Sequence, residues 1–326
     1  MPEGVLLVMT RPPGGGFAKG DHEAFAVASQ LASSLGASLS CAVIGEDVEG
    51  AATEAAERGA TRVLTASGPA FGTPGDGLVA AATAAAAAAD PAAILVPRGP
   101  DMLELTPRLA ARLDGGAVTG ATEVRTGDTG VEAVASVFGG AARALYRFTA
   151  AGPAVIGLAP VLLDPPDREA GRSGERIELD VTGNLDRVRV IEPAVDTGVA
   201  RIEDARVVVS GGRGLREADN FSLIRSLAAN LGGMPGASRA IVDDGWAPPT
   251  EQVGLTGAIV TPDVYVAAGI SGASQHMAGC SNSRLIVAIN TDPDAPIFRY
   301  AHLGIVDDCL EVLPELLRLR GDAGAS

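Results

Sequence analysis

Along the first third of the chain, short apolar runs rich in β-branched residues alternate with alanine- and leucine-rich segments of helical spacing. The runs are too short for helices and predict buried strands, whereas the intervening segments predict helices. The predicted strands are Val5–Met9, Leu39–Ile44, Arg62–Thr65 and Ala93–Val96, and the predicted helices are Glu23–Leu35, Asp47–Arg58, Leu78–Ala89 and Met102–Leu113. This alternation indicates a parallel sheet covered by helices on both faces.

After Gly115 the pattern changes to strand-like runs joined by glycine-rich or short polar connections, which indicates an added antiparallel or mixed part. These runs are Ala117–Arg125, Val131–Phe138, Ala144–Phe148 and Ala154–Leu158. The polar segment Asp164–Gly174 contains prolines and glycines without a hydrophobic period, and we expect an exposed loop there.

A second domain is predicted where a new strand, Arg206–Val209, follows a stretch interrupted by proline and glycine. We expect a first domain at 1–192, a hinge at 193–203 and a second domain at 204–326. The second domain is predicted to contain a helix at Phe221–Leu231, strands at Ala240–Val242, Val264–Ala268, Leu285–Ile289 and Ile305–Val306, and a last helix at Leu310–Leu319. The predicted fold class is therefore α/β, with two doubly wound domains, the C-terminal one built on a mostly parallel sheet.

Composition excludes several classes of function. A net charge of -15 argues against nucleic acid and anionic membranes as partners, since both attract basic surfaces. The three cysteines lie far apart, so neither a disulfide framework nor a metal cluster is predicted. The N-terminal residues lack a basic region and a long apolar core, so we expect a cytoplasmic protein. No Ser-His-Asp or Cys-His constellation indicates an enzyme with its own substrate.

Candidate chemistry lies in loops at the carboxyl ends of the second domain's predicted strands, where open parallel sheets bind ligands. Neither the dinucleotide-binding glycine fingerprint nor a P-loop is present. The loops instead place glycine beside hydroxyl and amide residues, which suits a ligand with phosphates, hydroxyls and a heteroaromatic ring. They are Gly211–Gly214, Gly236–Arg239, Gln252–Gly257, Gly269–His276 and Asn290–Pro296, with Asp308 after the last strand.

Four of these residues have two interpretations from the sequence alone. Arg213 and Arg239 are either solvated surface arginines or contacts to a pyrophosphate or a flavin ring. His276 is either a satisfied structural histidine or a functional one. Asp308 either caps the final helix or contacts the ligand.

Several ordered motifs carry a family resemblance. The stretches VVVSGGRGL, GASRAIVDDGW, QVGLTG, PDVYVAAGISGASQHMAG, IVAINTDPDAPIF and LGIVDD resemble the C-terminal FAD domain of the electron transfer flavoprotein alpha subunit. The segments RLAARLDGGAVTGATEV and FGGAARALYRF are more loosely similar to the first domain of that family.

The resemblance implies an FAD site in which Thr256 lies near flavin N5, His276 near the pyrimidine carbonyl O2 and Arg239 against the isoalloxazine. It further implies that Ser238 and Ser271 meet the pyrophosphate, with Asn290 and Asp308 towards the adenosine end. The full expected set is Arg213, Ser238, Arg239, Gln252, Val253, Gly254, Leu255, Thr256, Ser271, Gly272, Ala273, Ser274, Gln275, His276, Asn290, Asp308 and Cys309.

The chain departs from the family pattern at a few positions. Leu255 stands where the family usually has glutamine, Met234 and Pro235 precede GASR, and Cys309 replaces the common leucine. If the residue at position 255 acts through its backbone, the change is mild; if its side chain contacts FAD, the adenosine or ribityl contacts differ here.

The function implied by the resemblance is that of an electron carrier without a substrate of its own. Its partners are a beta subunit, against which residues 1–192 pack, acyl-CoA or related flavin dehydrogenases as donors, and a membrane quinone reductase as acceptor. Two alternatives remain at this point. One is an electron-bifurcating flavoprotein with two FAD per heterodimer, and the other is a nucleotide-binding sensor without redox work.

Overall fold

The computed structural model describes residues 4–12, 16–73, 75–138, 142–161, 163–182 and 201–323. The chain divides into two compact units, one formed by Met1–Ser136 and Arg143–Val195, the other by Val137–Ala142 and Asp196–Ser326. Residues 193–200 of the hinge predicted at 193–203 lie outside the described residues. The domain boundaries at 192 and 204 therefore stay predictions, although Ile202 is already buried in the core of the second unit.

The first unit contains one nine-stranded sheet among its described residues, in the order β7-β6-β5-β8-β4-β1-β2-β3-β9. Its strands are β1 (Gly4–Thr10), β2 (Leu39–Gly45), β3 (Arg62–Ser67), β4 (Pro91–Val96), β5 (Gly116–Gly127), β6 (Gly130–Val137), β7 (Ala142–Arg147), β8 (Ala154–Leu158) and β9 (Glu175–Glu178). Its helices are α1 (Lys19–Leu35), α2 (Glu49–Glu57), α3 (Asp76–Ala89) and α4 (Met102–Arg112).

This first sheet is mixed, as the change of pattern after Gly115 predicts. The strands from β1 to β4 pair in parallel, and β8 extends them in parallel with both β4 and β5. The pair β5–β6 is antiparallel. The sequence prediction missed β9, because this four-residue edge strand is largely exposed and has no hydrophobic pattern.

Both faces of the central strands of the first sheet are buried. In β1, Val5, Leu7 and Met9 enter one hydrophobic core, while Leu6 and Val8 enter the other. This alternation follows from the two-residue period of a strand. Small alanines of α1, α2 and α3 supply much of the helical side of both cores, which explains how a chain with 3% aromatic residues fills them.

The second unit contains a five-stranded sheet in the order β11-β10-β12-β13-β14, and its paired strands are parallel throughout the described part. Its strands are β10 (Val207–Gly211), β11 (Met234–Ala237), β12 (Val264–Ala268), β13 (Leu285–Asn290) and β14 (Leu303–Val306). Its helices are α5 (Phe221–Asn230), α6 (Arg239–Asp243), α7 (Ser274–Met277) and α8 (Cys309–Ala323). Two α/β domains with a parallel C-terminal sheet are thus confirmed.

One predicted strand of the second unit is wrong. Residues Ala240–Val242 lie in helix α6, and the strand is instead the preceding β11, which contains Pro235. A three-residue apolar run does not distinguish a strand from a short helix by periodicity. Proline is tolerated in β11 because this strand is at the edge of the sheet.

Candidate functional site

The predicted ligand loops meet at the carboxyl edge of the second sheet. Each follows a strand: Gly212 follows β10, Ser238 follows β11, Gly269 follows β12, Thr291 follows β13 and Asp308 lies just beyond β14. The loop Gln252–Thr256 joins the same edge through a parallel bridge between Gln252 and Ala237, the last residue of β11. Parallel strands all point their carboxyl ends to one edge, so distant sequence motifs come together there.

The described residues of these loops enclose two neighbouring cavities. The larger has a volume of about 580 Å³, within the usual range for small-molecule sites. It is lined by Gly212, Arg213, Ser238, Arg239, Ala240, Gln252, Val253, Gly254, Leu255, Thr256, Gly269, Ile270, Ser271, Ala273, Gln275 and His276. The smaller, of about 230 Å³, is lined by Gly214, Arg216, Gly269, Ser271, Asn290, Thr291, Asp308 and Cys309. The two share Gly269 and Ser271.

Most residues expected from the sequence line one of these cavities, but Gly272 and Ser274 line neither. Gly272 has a left-handed backbone, with φ of +83°, and a Cβ there would come within 2.3 Å of the Ile297 nitrogen. Glycine at position 272 therefore lets this loop pass close to the backbone of Ile297. Ser274 begins α7 and its hydroxyl donates to the side-chain oxygen of Gln275 at 3.3 Å.

His276 is buried between the larger cavity and the core of the second unit. Its side chain is only 7% exposed, and Nε2 lies 2.9 Å from the hydroxyl of Tyr265. Among the described residues, Nδ1 has no hydrogen-bond partner in normal geometry. Burial lowers the pKa of His276 to about 4, and the nearby Val253 carbonyl opposes only part of that shift. The imidazole is therefore neutral at pH 7.

Thr256 is oriented by Gln252, a buried residue four positions earlier. The Gln252 amide Nε2 donates to Thr256 Oγ1 at 3.0 Å. Because this bond uses an oxygen lone pair, the hydroxyl hydrogen of Thr256 remains available as a donor at the cavity.

Leu255 reaches the same cavity with its side chain 46% exposed, while its backbone N–H donates to the Gln275 carbonyl at 2.7 Å. The backbone at position 255 thus holds two site loops together, a contact that the identity of the side chain does not change.

Two arginines stand at the exposed rim of the larger cavity. The side chain of Arg213 is 71% exposed and lies 3.5 Å from Asp244, and that of Arg239 is 66% exposed and lies 3.2 Å from Asp243. Exposed ion pairs of this kind contribute only about 0–1 kcal/mol. Both guanidinium groups are therefore available to an anionic ligand at small cost.

The smaller cavity is bounded by side chains that already hold the loops. Asp308 caps α8 by accepting from the Leu310 N–H at 3.0 Å, and its other carboxylate oxygen accepts from Arg216. Asn290 donates to the Ile270 carbonyl at 2.9 Å. The buried thiol of Cys309 lies 3.4 Å from the Gly214 carbonyl, and burial raises its pKa, so it stays protonated.

The sequence prediction missed Arg216, although it lies two residues after Gly214 in an expected ligand loop. Its backbone is left-handed, with φ of +68°, which is uncommon outside glycine. Ala240 in the lining was also missed, whereas the further lining residues Gly212, Gly214, Gly269, Ile270 and Thr291 lie within the predicted loops although no role was assigned to them. Proximity to the glycine-rich loops is the signal that identifies them.

Other kinds of site are not found in the part of the chain that the structure describes. It contains no group of three or more His, Cys, Asp or Glu side chains placed to hold a metal ion. It also contains no helix that is both long and apolar enough to cross a lipid bilayer.

The features of the site fit a dinucleotide. Two joined cavities provide an elongated space, a buried imidazole nitrogen lacks a partner among the described residues, and glycine backbone replaces side chains where the cavities meet. Gly269 has φ of +64°, and a Cβ there would lie 2.7 Å from the Cα of Gly214.

Comparison with known proteins extends this result. Residues 201–281 match the electron transfer flavoprotein FAD-binding domain, and residues 5–184 match the electron transfer flavoprotein domain. The chain is 36% identical over 295 residues to the electron transfer flavoprotein subunit alpha of Thermoanaerobacterium thermosaccharolyticum, covering 89% of each chain. It is 35% identical over 278 residues to that of Bacillus subtilis strain 168, covering 84% of this chain and 85% of the relative.

A third relative, the electron transfer flavoprotein subunit alpha of Mycobacterium leprae strain TN, is 41% identical over 229 residues, covering 69% of this chain and 70% of the relative. Because both parts of the chain match the same family, and relatives align along most of their length, this chain belongs to the electron transfer flavoprotein alpha subunits, with FAD as its cofactor and electron carriage rather than substrate turnover as its role.

Proposed function

We propose that the chain is the FAD-carrying alpha subunit of a heterodimeric electron carrier, which takes electrons from flavin dehydrogenases such as acyl-CoA dehydrogenases and passes them to a membrane quinone reductase. In this proposal residues 1–192 pack against a beta subunit, residues 193–203 form a hinge and residues 204–326 hold FAD. A cytoplasmic location and a role in fatty acid oxidation belong to the same proposal.

The observation that carries the proposal is the chemistry of the larger cavity. Its described lining has no carboxylate and no cysteine, and His276, its one imidazole, is neutral at pH 7 because burial lowers its pKa to about 4. The hydroxyl groups of this lining therefore have no carboxylate and no strongly basic imidazole beside them to activate them as nucleophiles. The lining does offer hydroxyl, amide and guanidinium groups that bind a cofactor. Bound FAD supplies the redox chemistry, and the protein supplies position and electrostatics.

Within the larger cavity we assign three residues to the flavin ring. Thr256 is placed near N5, because Gln252 leaves its hydroxyl hydrogen free to donate. His276 is placed near the pyrimidine carbonyl O2, because its Nδ1 lacks a partner among the described residues. Arg239 lies against the ring, because its exposed guanidinium lines the cavity.

The remaining roles follow the joined shape of the two cavities. Ser271 lines both of them, which suits contact with the pyrophosphate at the middle of FAD. Ser238 precedes α6 and lines the larger cavity, so its hydroxyl is assigned to the same group. Asp308 and Asn290 line the smaller cavity and are assigned to the adenosine end.

The rim of the larger cavity suits a relay that meets separate donors and acceptors. Leu255, Arg213 and Arg239 all line the cavity and are exposed to solvent. An exposed cofactor edge lets electrons pass to a docked partner without release of the cofactor.

The test is to co-express the chain with its beta-type partner, measure the absorption spectrum, extract the cofactor and follow electron transfer. The carrier holds one FAD per heterodimer, is reduced by an acyl-CoA dehydrogenase with its substrate, and is reoxidised by a quinone reductase. Two FAD per heterodimer would support an electron-bifurcating flavoprotein instead. A bound nucleotide without a flavin spectrum, or FAD that neither enzyme reduces or oxidises, would contradict the proposal.

A further inference from the structure

Tyr265 places a hydroxyl group in an apolar core directly behind the larger cavity. It lies in β12, its side chain is fully buried, and it packs with Val208, Val253 and Met277. The phenol oxygen lies 2.9 Å from His276 Nε2. Burying a hydroxyl is costly unless it forms a hydrogen bond, and the contact with His276 supplies that hydrogen bond for the phenol.

The hydrogen bond between Tyr265 and His276 can form in two ways, which differ in the positions of the hydrogens. Burial raises the pKa of Tyr265 and lowers that of His276 to about 4, so both groups are neutral at pH 7. The pair therefore has one phenolic hydrogen and one imidazole hydrogen. Either the phenol donates to Nε2 and the imidazole hydrogen is on Nδ1, or Nε2–H donates to the phenol oxygen and the phenolic hydrogen needs another acceptor.

The surroundings of Tyr265 disfavour the second arrangement. Ser210 Oγ is nearby but has no hydrogen bond in normal geometry to any described group. The buried Cys280 thiol donates to the His276 carbonyl at 3.6 Å, and its sulfur, which also lies near the phenol, is only a weak acceptor. The second arrangement thus leaves the phenolic hydrogen only poor acceptors, namely Ser210 Oγ outside normal hydrogen-bond geometry and the weakly accepting Cys280 sulfur. The first pairs the phenol with Nε2, the stronger acceptor, and puts the imidazole hydrogen on Nδ1. The nearby Val253 carbonyl does not accept that hydrogen in normal geometry, so a ligand can accept it.

We propose that Tyr265 is a positioning residue that locks His276 as the neutral tautomer with its hydrogen on Nδ1, so that the imidazole gives the ligand a directed hydrogen-bond donor. His276 lines the larger cavity, and Nδ1 is its nitrogen without a partner among the described residues. That the ligand group is the flavin pyrimidine rests on the proposed function; the tautomer does not.

The chain contains an internal reference for the measurement. His302 accepts the Ile286 backbone N–H at its Nδ1, at 3.0 Å, so a neutral His302 carries its hydrogen on Nε2. The two histidines are therefore expected to show opposite tautomers in one spectrum. A third histidine, His22, contacts Glu54, and a His276→Gln variant identifies the His276 signals.

The experiment is long-range ¹⁵N–¹H correlation of histidine-labelled chain in its FAD-loaded complex with the beta subunit. In the wild type, His276 shows a protonated-type Nδ1 and an unprotonated-type Nε2, and His302 shows the reverse. In Tyr265→Phe the two His276 nitrogen shifts move towards each other as both tautomers become populated, while His302 is unchanged. Tyr300→Phe, which removes a hydroxyl from a side chain that is 43% exposed, leaves both histidines unchanged.

A hydrogen on Nε2 of His276 in the wild type would overturn the proposal without any variant, so a poorly folded Tyr265→Phe protein does not block the test. Unchanged His276 shifts in a folded Tyr265→Phe protein would overturn it as well. A reductive titration separates this proposal from the flavin contact. If the first reduction potential is the same in wild type and His276→Ala at full FAD content, the flavin contact is refuted. The tautomer is decided by the nitrogen shifts alone.

Discussion

Replacing Gly269 by alanine is expected to disrupt the point where the two cavities meet. The residue follows β12 with φ of +64°, and an added Cβ would lie 2.7 Å from the Gly214 Cα. Real Cβ atoms do not approach backbone so closely, and a backbone atom has no rotamer by which to move away. The loop after β10 and the loop after β12 must therefore separate, which also strains the bond from the Gly214 N–H to the Gly269 carbonyl at 3.0 Å.

The loss of folding free energy expected in Gly269→Ala has two parts. Alanine in a left-handed conformation costs about 1–2 kcal/mol relative to glycine. Forcing apart packed groups adds about 1–3 kcal/mol. Gly232 provides a matched control in the same unit, because its φ is +65° and no described heavy atom would lie within 4 Å of a Cβ added there. Gly232→Ala is therefore destabilised only by the left-handed conformation. Gly269→Ala is destabilised by that conformation and by the close contact with Gly214.

The assay is urea unfolding of both variants in complex with the beta subunit, together with the FAD content of each preparation. Gly269→Ala is expected to lose about 1–3 kcal/mol more than Gly232→Ala and to retain less FAD, since Gly269 lines both cavities. Equal losses of stability and equal FAD content in the two variants would refute the close approach of these loops.

Three further predictions concern the lining of the larger cavity. The pKa of His276 falls from an ordinary value of 6.5 to about 4 on folding, so the unfolded chain binds more protons between these values and stability rises with pH there. In urea titrations from pH 6.5 to 4, His276→Gln should lose this pH dependence, which amounts to about 3 kcal/mol of folding stability in the wild type. If the stability of the variant depends on pH with the same slope as that of the wild type, the prediction is contradicted. Arg239→Ala should lower the first reduction potential of FAD by about 40 mV, from about 1 kcal/mol for a charge about 4 Å away in water. Arg206 is an exposed arginine before β10, at the opposite edge of the sheet, so Arg206→Ala should leave the reduction potential unchanged. Equal shifts of the potential in the two variants would refute the role of Arg239. Thr256→Val should shift the potential less than Arg239→Ala, since it removes one neutral hydrogen bond; a larger shift at unchanged FAD content would count against the assignment.

The position of the site was predictable because it depends on sheet topology. Glycine-rich turns after Val207–Val209 and Val264–Ala268 lie at carboxyl ends of strands, and parallel strands bring these ends together wherever they occur in the chain. The same reasoning holds for Asn290, which ends β13, whereas the loop Gln252–Thr256 follows no strand and joins this edge through its bridge to Ala237. The order of hydrophobic runs therefore determined which distant residues meet.

The states of individual side chains were not predictable in the same way. The sequence left His276 as either a structural or a functional residue, and its neutral state depends on burial against Tyr265, eleven residues earlier in β12. Asp308 was expected either to cap a helix or to contact a ligand, and it caps α8 while also lining the smaller cavity. Arg216 was missed because its left-handed backbone has no signature in the residue types around it.

The most direct test of the central claim is the FAD content of a variant in which a large side chain fills the larger cavity. Ala273 lines that cavity with an exposed side chain and an extended backbone, so Ala273→Trp occupies ligand space without entering the core. Ser226→Trp, on the exposed surface of α5, is the control. In complex with the beta subunit, the control is expected to retain one FAD, and Ala273→Trp is expected to remain folded but to lose most of it. Full FAD content in a folded Ala273→Trp complex would show that the cofactor binds elsewhere and would contradict the account.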